Sequence, residues 1–148
     1  MEKDVIISIK GNQKFAGADN DVIELVTCGR LARDGAGYRL SYQESELTGL
    51  EGTVTTIQVE PERITMMRVG QVNTQMVFQE GRRHLAMYNT PYGAMAVGIN
   101  TRNMYAELDE KGGRIEIDYN LEIDHAVAGR NIFRISVKEA GPGQGLKQ

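Results

Sequence analysis

From Arg114 to Asp124 the chain reads RIEIDYNLEID, with Ile115, Ile117, Tyr119, Leu121 and Ile123 alternating with Glu116, Asp118, Asn120, Glu122 and Asp124. Successive side chains of a strand point to opposite faces, so this segment has one apolar face and one acidic, wetted face. On a helix the same residues would be scattered around the axis and would form no common stripe. Shorter stretches of the same kind recur along the chain, separated by turn residues at roughly eight- to twelve-residue intervals. That spacing predicts consecutive hairpins and one core enclosed by a curved antiparallel sheet.

About ten short runs can be read in order. Val5 to Ile9 ends at Gly11-Asn12, and the polar, glycine-containing stretch Asn12 to Asp21 reads as a loop. Val22 to Arg33 reaches Asp34-Gly35, a favoured hairpin dipeptide, and Tyr38, Leu40 and Tyr42 share a face of the returning strand. Thr53 to Glu60 is rich in Thr, Val and Ile and meets a turn at Pro61-Glu62, after which Ile64, Met66 and Arg68 share one phase. Val72 to Gln79, Arg83 to Asn89, Ala94 to Thr101 and Met104 to Leu108 follow, with a bulge expected near Arg102-Asn103. The acidic strand quoted above comes next. His125 to Arg130 then leads to a last strand, Ile132 to Val137. The expected fold is all-β: a single antiparallel, mostly up-and-down barrel of about eight to ten strands, because closure removes exposed edges. A Greek-key sandwich stays open as an alternative, since turn spacing does not fix strand order. Residues 1–140 form the expected barrel domain, and 141–148 (GPGQGLKQ) a flexible tail.

Composition narrows the partners. Seventeen basic residues stand against 20 acidic ones, for a net charge of −3, which gives no general electrostatic reason to bind nucleic acid or anionic lipid. No apolar run approaches the ~20 residues of a membrane-spanning helix. The acidic residues and short apolar run of MEKDVIISIKG do not read as a secretory leader, so the expected location is cytoplasmic. Cys28 is the only cysteine, and its neighbours supply no base to activate it.

The runs TGLEGTVTTIQV (Thr48 to Val59), ITMMRVG (Ile64 to Gly70), VFQEG (Val77 to Gly81), MYNTPYG (Met87 to Gly93) and GGRIEIDYNLEI (Gly112 to Ile123) resemble the uncharacterised bacterial YwiB-like family. That resemblance implies a calycin-like barrel, related in shape to proteins that hold a small apolar ligand inside. The chain lacks any tryptophan for the Gly-x-Trp signature of secreted lipocalins. It also has no helical segment for the lid of fatty-acid-binding proteins.

Within such a barrel, Glu44 continues the phase of Tyr38, Leu40 and Tyr42, while Arg68 continues that of Ile64 and Met66. If those faces point inward, opposite charges enter one interior and must pair with each other or with a ligand headgroup. The alternative places both at strand ends, in water. Tyrosines 38, 42, 88, 92, 105 and 119 and the methionines of the middle third could line a pocket or fill a core. The ligand-binding set expected on these grounds is Glu44, Arg68, Tyr42, Met66 and Tyr88.

No catalytic, metal or cofactor site is expected. His84 and His125 stand apart, no Cys or His cluster has ligand spacing, and no phosphate loop or nucleophile elbow appears. The acidic stripe of Glu116, Asp118, Glu122 and Asp124 reads as a solvated outer face that could hold a cation only loosely. Three functions remain. The first is a binder of a small, mainly apolar ligand with a carboxylate or polar head near Arg68, which predicts a continuous cavity. The second is a filled barrel that docks a protein partner. The third is an enzyme working through Glu44, Arg68 and a tyrosine hydroxyl.

Overall fold

In the computed structural model, residues 2–15, 21–44, 51–70, 73–90, 93–123 and 126–140 are described, with only the backbone of residues 14, 15, 21 and 88–90. The expected C-terminal tail, His125 and the side chain of Tyr88 lie outside the described residues.

Ten strands follow one another: β1 (Glu2–Phe15), β2 (Asp21–Asp34), β3 (Gly37–Gln43), β4 (Thr53–Val59), β5 (Ile64–Gly70), β6 (Thr74–Phe78), β7 (Arg83–Thr90), β8 (Gly93–Asp109), β9 (Gly112–Ile123) and β10 (Ala126–Glu139). They form one antiparallel sheet in the order β6-β5-β4-β3-β2-β1-β10-β9-β8-β7. Every neighbouring pair but one is a sequential hairpin. The exception joins the chain's two ends, with Ile7 opposite Val137 and Ile9 opposite Ile135. This is a meander curled into a nearly closed barrel, and not a Greek-key sandwich.

The seam falls between β6 and β7, which touch but share no ladder among the described residues. The turn between them bridges the gap. Its Gly81 N–H donates to the Thr101 carbonyl at 2.9 Å, and His84 Nε2 meets Gln79 Oε1 at 2.7 Å. His84 is therefore a satisfied seam residue.

Two sequence expectations need correction. Asn12 to Phe15 do not begin a loop, because they extend β1 and pair with β10 as far as Gly129. The polar residues there lie on a barrel wall, where backbone pairing with β10 outweighs side-chain polarity. Likewise, the last two runs are one strand, with a bulge at Ala128. The bulge expected near Arg102-Asn103 is present, where the β8–β9 register shifts between Thr101 and Asn103.

Register stacks the inward residues into rows. Leu31, Leu40, Ile57, Met66 and Met76 lie opposite one another across five successive strands. All are buried, as are Val5, Ile7, Ile64, Phe78, Ile99, Ile115 and Ile117. The middle of the barrel is thus packed with side chains, and the ring contact of Phe78 with Tyr119 (4.9 Å between centroids) spans it. Among the described residues, no continuous cavity of the kind expected of a lipocalin-like binder runs through this layer.

Outside, β9 carries acids and β10 carries arginines. Arg130 makes a bidentate pair with Asp118 (2.7 and 3.0 Å), and Arg134 reaches Glu116 at 3.2 Å. Arg83 crosses β8 to Glu122 at 2.7 Å, and it can do so because Gly98 lies beneath it. A Cβ at Gly98 would sit 2.7 Å from the Arg83 guanidinium. Arg130 holds the Asp118 carboxyl below the usual carboxylate range, with burial working against it. Glu116, Asp118 and Glu122 of the acidic stripe are therefore met by arginines, while Asp124 lies outside the described residues.

Candidate functional site

One row beyond the apolar one, the inward residues change character. Gly29, Tyr42, Thr55, Arg68 and Thr74 lie opposite one another across β2 to β6. Each sits two residues along from a member of the apolar row, so it faces the same interior one layer nearer the end of the barrel. Glu44 follows the end of β3, where its backbone N–H donates to the Thr53 carbonyl at 2.8 Å. That bond continues the β3–β4 pairing and keeps Glu44 in the inward phase of Tyr42.

The two charges do enter one interior. The Glu44 side chain is 2% exposed and that of Arg68 19%, with Arg68 Nε 3.8 Å from Glu44 Oε2. The rim placement in water does not hold for Glu44. The Thr55 hydroxyl also donates to Glu44 Oε2. At 3.8 Å the ion pair is too long to count as a hydrogen bond, and Arg68 Nε, itself buried, has no hydrogen-bond partner among the described residues. Burial pushes the Tyr42 phenol well above its ordinary range; the Glu44 carboxylate adds to this and Arg68 opposes it. Tyr42 stays protonated at neutral pH, which makes it a donor and leaves no tyrosinate to act as a base.

These groups form one wall of a cavity of about 190 Å³. The rest of its lining, among the described residues, is Ile9, Gly11, Gln13, Ile23, Leu25 and Phe133. Gly11 shapes the opposite wall, since a Cβ there would lie 3.3 Å from the Phe133 ring. The composition is apolar with a few convergent polar groups, as in small-molecule sites generally.

Three of the five expected site residues, Glu44, Arg68 and Tyr42, thus meet on this cavity. Met66 does not. It shares the phase of Arg68 but lies one row deeper, between Ile57 and Met76 in the packed core. Sequence missed Phe133, Gly11 and Gln13. Gln13 was hidden by reading Asn12 to Asp21 as a loop, and only the β1–β10 closure brings Gly11 opposite Phe133.

A second polar row lies on the same side of the core. Gln13, Asn131, Tyr119 and Thr101 are opposite one another across β1, β10, β9 and β8. Asn131 Nδ2 donates to the Tyr119 hydroxyl at 2.8 Å. The Asn131 Oδ1 and Thr101 Oγ1 atoms are buried without a hydrogen-bond partner among the described residues.

Other depressions are less suited to a ligand. One of about 210 Å³ at the opposite end, among Tyr38, Val59, Pro61, Ile64 and Leu108, has Glu60 as its one charged group, already paired with Arg63 at 3.5 Å. A larger outer groove near Glu80 is lined by the Asp118–Arg130 and Glu116–Arg134 pairs, whose charges already meet each other.

Comparison with known proteins agrees with this architecture. The uncharacterized β-barrel protein YwiB of Bacillus subtilis (strain 168) is 28% identical over 119 residues, covering 80% of this chain and 77% of that protein. The crystal structure of the ywiB protein from Bacillus subtilis superposes with a TM-score of 0.83 at 24% identity, over 95% of this chain and 94% of that one. The latter likeness is one of fold. Residues 7–135 match the family described as a domain of unknown function, DUF1934, and the chain belongs to that family.

Proposed function

We propose that this protein binds one small, mainly apolar molecule in the cavity at the Arg68 end of the barrel. The observation that carries this reading is the Glu44–Arg68 pair on a cavity whose other lining, among the described residues, is mainly apolar: Ile9, Gly11, Ile23, Leu25 and Phe133, with Gln13 and Tyr42. A buried ion pair is weak evidence for stability, because desolvation of two charges offsets much of their attraction. Here it stands where the apolar row ends and empty volume begins, which is where a polar anchor for a ligand is useful.

The volume limits the occupant. An apolar cavity of roughly 150 Å³ holds benzene, whereas drug-sized pockets run to about 300–1,000 Å³. About 190 Å³ therefore suits a single ring or a short branched chain with a small polar head, and is too small for a long acyl chain.

Native mass spectrometry of freshly purified protein, against a denatured sample, tests the reading. The expected result is a small added mass that is lost on denaturation and absent from Gly11→Val, whose side chain fills the cavity beside Phe133. An added mass retained by Gly11→Val would place the ligand elsewhere, and a bare protein in every preparation would count against a resident ligand.

A further inference from the structure

Granted that reading, we infer that the ligand is electrically neutral and presents a hydrogen-bond acceptor, such as an amide or ketone oxygen, to Arg68. The expectation from sequence allowed a carboxylate head there, and the geometry disfavours one. Arg68 is already faced by the Glu44 carboxylate, whose side chain is 2% exposed. A second anion on the guanidinium would lie close to that buried charge in a poorly screened site, and like charges so placed repel strongly. A cation would meet the same obstacle from Arg68. The pair as a whole is neutral, so a neutral ligand brings no uncompensated charge into the cavity.

Neutrality alone does not define the head; the donors do. A guanidinium carries five N–H donors and no acceptor. Arg68 meets Glu44 only at 3.8 Å, and its buried Nε makes no hydrogen bond among the described residues. A cavity-lining group with a buried donor left over among the described residues calls for an acceptor. Beyond it, Phe133, Ile9, Ile23 and Leu25 offer an apolar bed, and Gly11 leaves the Phe133 ring uncovered on that side. The chemistry that fits is a ring or branched aliphatic body bearing one uncharged carbonyl-type head.

Benzamide, benzoate and benzylamine have nearly the same size and differ in charge, so they separate the possibilities. Each is titrated into the ¹⁵N-labelled full-length protein, following the backbone amides of Gly11 and Phe133 and the Nε–H resonance of Arg68. Benzamide is expected to shift all three saturably and to bind at least about tenfold more tightly than either charged probe. In Glu44→Gln, where the carboxylate charge is gone, benzoate should gain on benzamide.

Benzoate or benzylamine binding as well as benzamide would overturn neutrality while leaving the cavity reading intact. The same holds if Glu44→Gln leaves the discrimination against benzoate unchanged. Benzamide shifting Gly11 equally in Arg68→Lys and Arg68→Met would remove Arg68 as the donor. If none of the three perturbs Gly11 or Phe133, the cavity reading and this inference both fall.

Discussion

The two ends of the barrel interior are built from the same strands and the same phases, yet they differ in chemistry. Towards the tight turns at Gly35 and Gly81, the inward positions are Leu31, Leu40, Ile57, Ile64 and Phe78, all fully buried. Towards the other end, the same strands turn in Gly29, Tyr42, Glu44, Thr53, Thr55 and Arg68. An apolar layer contributes to stability in proportion to the area it hides from water, at about 25 cal/mol per Å². A layer with a buried carboxylate and a half-buried guanidinium has no such simple return. The first end holds the barrel together; the second buries polar groups whose return to the fold is small.

Four substitutions sharpen or break that contrast, beginning with the largest effect. Phe78→Ala, at the apolar end, should cost about 3–5 kcal/mol in urea unfolding, through lost burial and the cavity left beside Tyr119. Arg68→Met should cost less, roughly 2–3 kcal/mol, because Glu44 loses its counter-charge but keeps the Thr55 hydroxyl and the guanidinium was partly exposed. Should Arg68→Met cost as much as Phe78→Ala, the polar end is as structural as the apolar one.

Tyr42→Phe should cost about 1 kcal/mol at neutral pH, the net worth of a typical hydrogen bond such as the phenol makes with the Glu44 carboxylate. Its pH dependence is more telling. The phenol pKa is raised in the folded protein, so Tyr42 contributes stability that is fully present below the ordinary phenol value of about 10 and lost as pH rises towards the folded value. Unfolding curves between pH 9 and 11 (roughly the lower part of that window) should fall more steeply for the wild type than for Tyr42→Phe. Parallel slopes would mean that Tyr42 is not held protonated by its surroundings. The smallest change is Thr101→Val, which removes a buried hydroxyl without a partner among the described residues and should leave stability equal or raise it by up to about 1 kcal/mol. A loss of more than that would show that the hydroxyl is hydrogen-bonded after all.

How much of this was legible in the sequence follows from what a strand period can report. Alternation gives phase, so the inward direction of Glu44 and Arg68 could be read from Tyr42 and Met66 beside them. Phase carries no depth. Met66 and Arg68 look equivalent in sequence, but the row of Ile57 and Met76 buries one in the core while the next row opens the other on a cavity. Long-range register is equally silent. Gly11 and Phe133 form the far wall only because the chain's two ends pair, and nothing local to either residue announces it. The acidic stripe of β9 was plain as an outer face, whereas the arginines that neutralise it belong to β10 and, across a glycine, to β7.

The central claim, that the Glu44–Arg68 pair is kept for a ligand and not for the fold, is tested most directly by urea unfolding of the double variant Glu44→Leu, Arg68→Met. Replacing a buried ion pair by apolar side chains of similar volume is often neutral or stabilising by about 1–4 kcal/mol. The expected result is a midpoint at or above that of the wild type, with the two-state slope unchanged. A double variant less stable than Arg68→Met alone would contradict it, and would make the pair a structural element of the barrel.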